Sequence, residues 1–536
     1  MSTSTQITAV WPTTPAHRVE VDPALQRQRA QADPSRPRWH VTPPWGWLND
    51  PNGLSVHPGP DGEPVIHLFY QHNSHAPVHD LIEWGHQVST DLVHWRDLPV
   101  ALTPGPEGPD ARGCWSGVVV DDLRPDGSRV PTMIYSGHAD RPTQTACLAV
   151  AEPGDPWLTR WVKETETNPV IDTARHSVGL DLPVMRDHSV WRENGRWYQV
   201  MGSGLPGQGR DGAQAGAALC FSSEDLRTWT YEGPLAFSDG DVGATGTVWE
   251  CPELCTLTGE GGERDLLTVS AWHEEATMRT MWMTGERAGT RMRVDDVGRS
   301  DLGENYFYAP QSVLLPDGRR VVIGWMQPNR DHDQRIAAGW AGSLSVPRTM
   351  SLAVDGTPRF APVAEIEALR GTRLVQAEGE GARTASFASR SVDLVLSGRL
   401  AQGEVTVDVL ADAEGEHRTR VSLRRREAVG ERGQDAWTGW LSVDRSASAP
   451  AGSPWQGEET RLLEGPVPLG ADGEVELRVL LDRSSLEVFV NGQPLSARVG
   501  AEPDDALVVV DAPGLEGAVL SAWHMEDAYT DGRLEP

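Results

Sequence analysis

Short hydrophobic runs separated by polar turn residues fill most of the chain. Runs rich in Val, Ile, Leu and Trp alternate with Gly, Pro, Asp and Asn, as strands and their turns do. Examples are Val65–Tyr70, Gly117–Val120, Trp197–Met201 and Val321–Trp325. The 3.6-residue periodicity of amphipathic helices is scarce before residue 360. The pattern therefore predicts an all-β fold.

A weak internal repeat divides the N-terminal part of the chain. Ser89–Trp95 reads S-T-D-L-V-H-W, Ser223–Trp229 reads S-E-D-L-R-T-W, and a degenerate copy between them ends at Trp161. Candidate first strands recur at a similar spacing, near Asp50, Ser116, Asp187, Glu250 and Tyr308. Each unit between two successive candidate first strands is long enough for four strands, so the spacing predicts a five-bladed β-propeller. The innermost strands of its blades would converge on a central channel.

The C-terminal part of the chain also has strand patterns. Val475–Val490 alternates apolar and polar residues and leads into Asn491-Gly492, the strongest short signal for a hairpin. Two packed antiparallel sheets are the natural form for such a segment. We therefore predict a five-bladed β-propeller over residues 38–360, a linker helix over 361–371 and a β-sandwich over 372–528.

Charge and composition mainly exclude partners and chemistries. The formal net charge of −30 repels phosphate backbones and anionic membranes, so we predict neither nucleic acid nor a membrane as a partner. Lys163 is the only lysine and no phosphate-loop motif occurs, which argues against Schiff-base and phosphate-loop chemistry. The 21 tryptophans offer flat faces that suit sugar rings, although most tryptophans in any protein fill the core.

Cysteine usage and the N-terminus bear on the cellular compartment. The five cysteines lack the paired spacing of a disulfide framework or a zinc site. Residues 1–10 have neither the basic start nor the apolar stretch of a signal peptide, and no run approaches the roughly 20 apolar residues of a membrane span. We predict a cytoplasmic protein with no cofactor and no metal ion, and a homo-oligomer remains open.

Three acidic residues are placed to carry chemistry. Asp50 lies in W-L-N-D-P-N-G, Asp187 follows Arg186, and Glu250 lies further along the chain. Each one alone reads equally well as a turn or an ion pair. All three, however, fall at the first-strand position of a different blade. Glycoside cleavage needs two carboxyl groups in different electrostatic settings, and their separation, which decides between retention and inversion, stays open at this stage.

Sequence motifs extend the pattern over most of the chain. They are W-L-N-D-P-N-G (Trp47–Gly53), F-Y-Q (Phe69–Gln71), W-G-H-Q-V-S-T-D-L-V-H-W (Trp84–Trp95), W-S-G (Trp115–Gly117), R-D (Arg186–Asp187), E-C-P (Glu250–Pro252), F-Y-A-P-Q (Phe307–Gln311), G-W-M (Gly324–Met326) and D-R-S-S-L-E-V-F-V-N (Asp482–Asn491). In this order they resemble glycoside hydrolase family 32, which includes invertases, inulinases, levanases and sucrose-6-phosphate hydrolases. The resemblance implies a five-bladed propeller joined to a β-sandwich, in agreement with the strand pattern.

The resemblance also implies roles for individual residues. Asp50 matches the nucleophile that forms a fructosyl-enzyme intermediate, Glu250 the acid/base, and Asp187 the stabiliser of the transition state. The implied sugar pocket is lined by Asn49, Gln71, Trp84, Trp115, Ser116, Arg186 and Trp325, with Trp84 as a stacking face. For Trp115 and Trp325, packing in the propeller core is an equal alternative. The implied activity is retaining hydrolysis of terminal β-D-fructofuranosidic bonds in sucrose and short fructo-oligosaccharides.

Two departures from the family pattern and several alternative functions remain. His188 stands where the family usually has proline, which frees the backbone after Asp187 and adds an imidazole beside the site. Leu48 in place of methionine conserves volume.

The alternative functions are fructosyl transfer, hydrolysis of levan or inulin, and a non-catalytic sugar-binding propeller, which would have lost an acid. Hydrolysis of sucrose-6-phosphate would require a local cluster of arginines, because the charge balance gives it no support.

Overall fold

The computed structural model describes residues 22–124, 126–139, 144–172, 182, 184–238, 245–274, 276–428, 436–449, 462–470 and 472–529. Within these ranges the chain is built almost entirely of strands, which form a five-bladed β-propeller followed by a β-sandwich. The predicted fold class is therefore confirmed. No helix in the same ranges is long and apolar enough to cross a membrane.

Blades 1 to 3 are antiparallel sheets whose four main strands follow one another in the chain. Blade 1 contains β1 (Gly46–Pro58), β2 (Pro64–Asn73), β3 (Glu83–Ser89) and β4 (Arg96–Leu102). Blade 2 contains β5 (Gly113–Leu123), β6 (Arg129–His138), β7 (Thr145–Ala151) and β8 (Trp161–Lys163). Blade 3 contains β9 (Met185–Glu193), β10 (Arg196–Leu205), β11 (Ala215–Ser223) and β12 (Trp229–Phe237).

Blades 4 and 5 are joined into one larger sheet. Blade 4 contains β13 (Val248–Gly259), β14 (Gly262–His273), β15 (Ala276–Ala288) and β16 (Arg291–Arg299). Blade 5 contains β17 (Tyr308–Leu314), β18 (Arg320–Met326), β20 (Ser343–Leu344), β21 (Arg348–Leu352) and β22 (Pro358–Pro362), and β19 (Trp340–Ala341) precedes β20. Strand β19 pairs in parallel with β1, so the end of the propeller closes onto its first strand.

Two helices flank the closure of the ring. Helix α1 (Pro23–Ala32) begins after Asp22, whose side chain accepts the Ala24 N–H, and its proline start suits the first helical turn. Helix α2 (His332–Ala338) contacts both α1 and β19. Helix α1 was not predicted, because its sequence is mostly polar and carries no apolar stripe. The short 3-10 helices are Arg210–Gly212, Glu304–Tyr306, Ala364–Leu369 and Gly379–Ala382.

The C-terminal unit consists of two six-stranded antiparallel sheets. The first contains β23 (Arg370–Glu378), β25 (Ser391–Leu400), β30 (Glu474–Asp482), β31 (Ser485–Val490), β32 (Gln493–Arg498) and β34 (Leu515–Met525). The second contains β24 (Thr384–Ala388), β26 (Glu404–Ala411), β27 (Arg418–Ala428), β28 (Ala436–Ala447), β29 (Leu462–Val467) and β33 (Leu507–Asp511). The hairpin expected at Asn491-Gly492 is present between β31 and β32, and both turn residues have positive φ. Val475–Val490 is not one strand, because a turn at Arg483 divides it into β30 and β31.

A buried charged network joins the sandwich to the propeller, and we call it the interface network: His40, Asp301, Arg348, Asp482 and Glu487. All of these side chains are 1% exposed or less. Glu487 contacts the guanidinium of Arg348 and lies 3.0 Å from Nε2 of His40, while Asp482 lies 2.9 Å from Nδ1 of the same histidine. Asp482 and Glu487 both belong to the C-terminal D-R-S-S-L-E-V-F-V-N motif. The motif therefore docks the sandwich onto the propeller.

The single lysine is part of blade 2. Nζ of Lys163 donates to Oδ2 of Asp110 at 2.5 Å and to the carbonyl oxygen of Thr103 at 2.6 Å. Asp110 also accepts a hydrogen bond from the hydroxyl of Tyr135 at 2.7 Å. The side chain of Lys163 is about one-fifth exposed. Through these bonds Lys163 connects the outermost strand of the blade to the loop before β5.

Candidate active site

A β-bulge interrupts the innermost strand of every blade where that strand faces the central channel. The bulges lie between Leu48 and Pro51, between Trp115 and Gly117, between Arg186 and His188, between Glu250 and Glu253, and between Tyr308 and Gln311. A bulge re-aims side chains that a regular strand would send to alternate faces. The recurrent first-strand positions of the sequence are therefore the places where each blade turns side chains toward the channel.

Asp50 lies in a cradle of hydrogen-bond donors. Nδ2 of Asn49 donates to Oδ1 at 3.1 Å, and Nε2 of Gln71 and Oγ of Ser116 donate to Oδ2 at 3.1 and 2.5 Å. Burial raises the pKa of Asp50 to about 6; the hydrogen bonds from Ser116 and Asn49 oppose the rise, and the charge of Glu250 adds to it. Asp50 is thus ionised above about pH 6.

Glu250 is held through both carboxylate oxygens. Arg186 donates to Oε1 from Nε at 3.1 Å and from Nη2 at 2.5 Å. The hydroxyl of Tyr308 donates to Oε2 at 2.5 Å. These partners come from blades 3 and 5, on either side of Glu250 in blade 4. The carboxyl group is oriented from both sides while 14% of its side chain stays exposed.

Asp187 lies beside the two other acids. The backbone N–H of Cys251 donates to Oδ2 of Asp187 at 3.0 Å. Burial raises the pKa of Asp187 to about 7; the charge of Arg186 opposes the rise, and those of Glu250 and Asp50 add to it. The thiol of Cys251 lies 3.4 Å from Oδ2 of Asp187 and 3.6 Å from Oδ2 of Asp50. The sulfur atom of Cys251 therefore lies between the carboxyl groups of Asp187 in blade 3 and Asp50 in blade 1.

An aromatic wall stands next to the acids, formed by Trp47, His79, Trp115, His138 and Trp325. Trp47 lies with its ring centroid 5.9 Å from Trp325 and 6.1 Å from His79. The ring of Trp115 lies 5.7 Å from His79 and stacks on His138 at 4.2 Å. The wall is fixed to the acid cluster, because the indole N–H of Trp47 donates to Oδ1 of Asn49 at 2.6 Å.

Trp84 lies elsewhere than the sequence predicted. Its ring is fully buried between Phe69 and Tyr135, with centroid distances of 6.0 and 6.4 Å. Its indole N–H donates to the carbonyl oxygen of Trp115 at 3.2 Å. The predicted stacking face is thus covered by the core between blades 1 and 2. A tryptophan in a strand pattern gives no sign of which face it occupies, so the sequence could not distinguish the two cases.

The other predicted residues lie together, and the sequence missed several neighbours. Asn49, Gln71, Ser116 and Arg186 contact the acids directly, and Trp115 and Trp325 belong to the wall. Tyr308 and Cys251 also contact the acids but were not predicted as site residues. Their position inside the F-Y-A-P-Q and E-C-P motifs was the available signal. For His79 and His138 the sequence offers no such signal. Among the described residues, no group of three or more His, Cys, Asp or Glu side chains is arranged to hold a metal ion.

Comparisons with known proteins agree with this geometry. Two family models match the chain: "Glycosyl hydrolases family 32 N-terminal domain" over residues 40–360 and "Glycosyl hydrolases family 32 C terminal" over residues 365–506. The sucrose-6-phosphate hydrolase of Zymomonas mobilis is 30% identical over 473 residues, which cover 85% of this chain and 83% of that protein. The raffinose invertase of Escherichia coli is 29% identical over 520 residues, covering 93% and 94%. The solved structure of a family 32 β-fructofuranosidase from Bombyx mori has a TM-score of 0.72 and 27% identity, covering 95% of this chain and 97% of that one.

Proposed function

The chain belongs to glycoside hydrolase family 32, and from that membership we propose that it is a retaining β-fructofuranosidase acting on sucrose and short fructo-oligosaccharides. The observation that carries the proposal is the meeting of Asp50, Asp187 and Glu250 in one channel, each with different partners. An ionised carboxylate in a donor cradle suits attack, and a second carboxyl group oriented from two sides suits proton transfer.

In the proposed reaction, Asp50 and Glu250 divide two displacement steps. The Asp50 carboxylate forms a bond to C2 of the fructosyl unit while the glycosidic bond breaks and Glu250 gives its proton to the departing oxygen. Water then attacks C2 of the fructosyl ester, Glu250 takes up the proton, and Asp50 leaves as a carboxylate. Two inversions at C2 give net retention. Asp187, Asn49 and Gln71 would bind the fructose hydroxyl groups during both steps.

The central test is the loss of activity on removal of either reacting group. Asp50→Ala and Glu250→Ala should each abolish sucrose cleavage while circular dichroism and the unfolding transition stay those of a folded protein. Glu263→Gln is the control, because Glu263 lies on the adjacent strand β14 and its side chain is exposed. Robust turnover by purified Asp50→Ala or Glu250→Ala would reject the proposal.

A second candidate substrate is sucrose-6-phosphate. The protein from Zymomonas mobilis bears that name, and two arginines lie on the helices that flank the closure of the ring, one of them beside the aromatic wall. The guanidinium of Arg335, on α2, lies 5.5 Å from the ring centroid of Trp47, and that of Arg27, on α1, lies 5.3 Å from the ring of Trp45. Within the described ranges neither guanidinium has a carboxylate at ion-pair distance. This pair is the local basic feature that the net charge of −30 conceals.

Kinetics with paired substrates distinguish the two candidates. If the arginines bind a phosphate group, wild type should prefer sucrose-6-phosphate, and Arg335→Ala should lower kcat/KM for it by about tenfold, on the order of 1.4 kcal/mol. The same variant should leave kcat/KM for sucrose nearly unchanged. Arg29→Ala, on the same helix as Arg27, is the control. An equal effect of Arg335→Ala on both substrates would reject the phosphate role and leave the assignment of sucrose intact.

Transfer and fructan hydrolysis use the same three acids, so products must separate them from sucrose hydrolysis. We propose hydrolysis as the main reaction, with 1-kestose, inulin and levan as comparison substrates. Accumulation of kestose-type oligomers at high sucrose would instead assign transfer.

We also propose a cytoplasmic location, supported by the five cysteines, all of which are free thiols. Localisation of the tagged full chain by cell fractionation tests it.

A further inference from the structure

His188, the residue that departs from the family pattern, has a defined partner behind the site. The side chain is 3% exposed, and its Nε2 lies 3.1 Å from Oγ of Ser136. Ser136 is fully buried on β6, the second strand of the preceding blade. The imidazole therefore contacts the neighbouring blade, and it also lines the cavity that Asp187, Ser116 and Cys251 line.

The same hydroxyl group holds the backbone of Asp187. Asp187 is the bulge residue of β9, so it has no partner position on β10, and its φ of 61° lies in the left-handed region. Its backbone N–H donates instead to Oγ of Ser136 at 2.8 Å. Without that acceptor, a buried N–H would be left unpaired and the bulge would lose a fixed point.

The three groups form a directed chain of hydrogen bonds. Because Oγ of Ser136 accepts the Asp187 N–H, its own hydrogen is available for donation. Burial lowers the pKa of His188 to about 3, so the imidazole is neutral and its Nε2 can accept that hydrogen. In the tautomer that leaves Nε2 without a hydrogen, the imidazole fixes the hydroxyl rotor with its lone pair toward the bulge amide.

Other blades of the same molecule solve this problem differently. The bulge residues Asp50, Cys251 and Ala309 are each followed by proline, which fixes φ of the next residue. Ala309 has the closest parallel: its φ is 47° and its N–H donates to Oγ of Ser270 at 2.8 Å, from the second strand of the preceding blade. Blade 3 has the equivalent serine but lacks the proline, and His188 occupies that place.

We propose that His188 is a positioning residue that acts through Ser136: it holds the bulge amide of Asp187 and so keeps the Asp187 carboxylate in place against the substrate. The imidazole supplies by a side-chain bond the constraint that proline supplies in other blades. This inference rests on the proposed function of Asp187 in the transition state. In this role His188 acts on Asp187 through Ser136 and takes no part in bond making or breaking.

Kinetic constants of single and paired variants test the inference. His188→Ala and Ser136→Ala should each lower kcat on sucrose by about tenfold with a much smaller change in KM, because a displaced Asp187 loses contacts that strengthen in the transition state. The double variant should be no worse than either single variant, since both remove the same chain of bonds. His188→Gln, whose side-chain oxygen can accept from Ser136, should recover most of kcat.

A second cycle separates positioning from a general structural role. In an Asp187→Asn background, His188→Ala should cost little further activity, because the group that it positions is already disabled. His524→Ala is the matched control: Nδ1 of His524 lies 3.2 Å from Oγ of Ser389 in the sandwich, and its loss should leave kcat and KM unchanged. A kcat for His188→Ala within twofold of wild type, or a full tenfold cost in the Asp187→Asn background, would overturn the inference. Wild-type activity of Asp187→Asn alone would instead overturn the proposed role of Asp187.

Discussion

The carboxyl groups of Asp50 and Asp187 have pKa values shifted in the direction that opposes stability at neutral pH. Burial is the largest cause of both raised pKa values, and repulsion from the neighbouring carboxylates adds to it. In both residues the folded-state value lies above the ordinary 3.8. The folded protein therefore holds protons that the unfolded chain has released, and the resulting stability is present at low pH and is lost as the pH rises through 6 and 7.

The first consequence is that an active-site substitution should stabilise the fold. Asp187→Asn removes a buried charge, so we expect a higher unfolding temperature at pH 7.5, with a gain on the order of 3 kcal/mol. The gain should shrink toward zero near pH 4, where Asp187 is protonated in the folded state. Scanning calorimetry at both pH values measures it. Asp225→Asn is the control with the opposite sign, because backbone hydrogen bonds lower the pKa of Asp225 despite some burial. An equal gain in stability at both pH values for Asp187→Asn would contradict the expectation.

The second consequence concerns the acidic limb of the pH–rate profile. In the proposed reaction Asp50 attacks as a carboxylate, so kcat/KM should fall as the pH drops below about 6. Ser116→Ala removes a hydrogen bond that favours the ionised form, so the limb should move to higher pH. Profiles of kcat/KM for wild type and Ser116→Ala test this. A limb that stays in place or moves to lower pH would show that another group controls it.

At the scale of elements, the sequence repeat that predicted the blades is a turn signature. Oδ1 of Asp225 accepts the backbone N–H groups of Arg227 and Thr228 at 2.8 and 2.7 Å, and Asp91 makes the same pattern in blade 1. The leucine after each aspartate has positive φ, 71° at Leu92 and 63° at Leu226. Each turn connects the third strand of a blade to the fourth. The blade spacing was therefore predictable, because it depends on a local turn with a local sequence signal.

Other elements were out of reach of the sequence for physical reasons. A bulge depends on which residues the partner strand presents, so the bulge at Asp187 and its bond to Ser136 have no local signature. The burial of Trp84 depends on the neighbouring blade, and His79, in the loop after β2, and His138, at the end of β6, enter the wall only when blades 1 and 2 pack together. The acids and their polar neighbours were identified because they lie within recognisable motifs.

Because Asp225 holds a turn far from the acids, its loss should lower stability and leave activity unchanged. Asp225→Ala should lower the free energy of unfolding by about 1 to 2 kcal/mol, since two backbone N–H groups lose their acceptor. Its kcat and KM should match wild type, because the turn lies at the outer edge of blade 3. Chemical denaturation and sucrose kinetics measure the two quantities. Glu224→Ala, whose side chain is 86% exposed, is the control, and a large kinetic change in Asp225→Ala would contradict the turn reading.

At the scale of the whole molecule, the interface network makes the two units depend on each other. Burial would raise the pKa of Asp482 and Glu487, but contacts with His40 and, for Glu487, with Arg348 hold both values below normal. Stability from this pair is present at neutral pH and is lost as the pH falls through those lowered values. Its pH dependence is thus opposite to that of the active-site aspartates. The C-terminal motif was recognised in the sequence, but its docking role needed the partners on the propeller.

Breaking the network should destabilise the propeller and the sandwich together. Glu487→Ala removes one of the two carboxylates that pair with the buried Arg348, the other being Asp301, and also removes a partner of His40, so we expect a loss of about 3 to 5 kcal/mol. Calorimetry should show the propeller transition moving with that of the sandwich. Glu476→Ala, on the adjacent strand β30 and exposed, is the control. A propeller transition that keeps its wild-type temperature in Glu487→Ala would show that the two units are independent.

The contact of Lys163 with Asp110 has a practical consequence for following the opening of blade 2. An endoproteinase that cleaves only after lysine has one site in the whole chain, and in the native state that site lies in a paired strand with its side chain engaged. Digestion of the intact protein would yield two fragments at a rate set by local opening of this strand. Cleavage after Lys163 therefore reports the local opening of this strand, and the cleavage rate should increase when Asp110 is replaced by alanine.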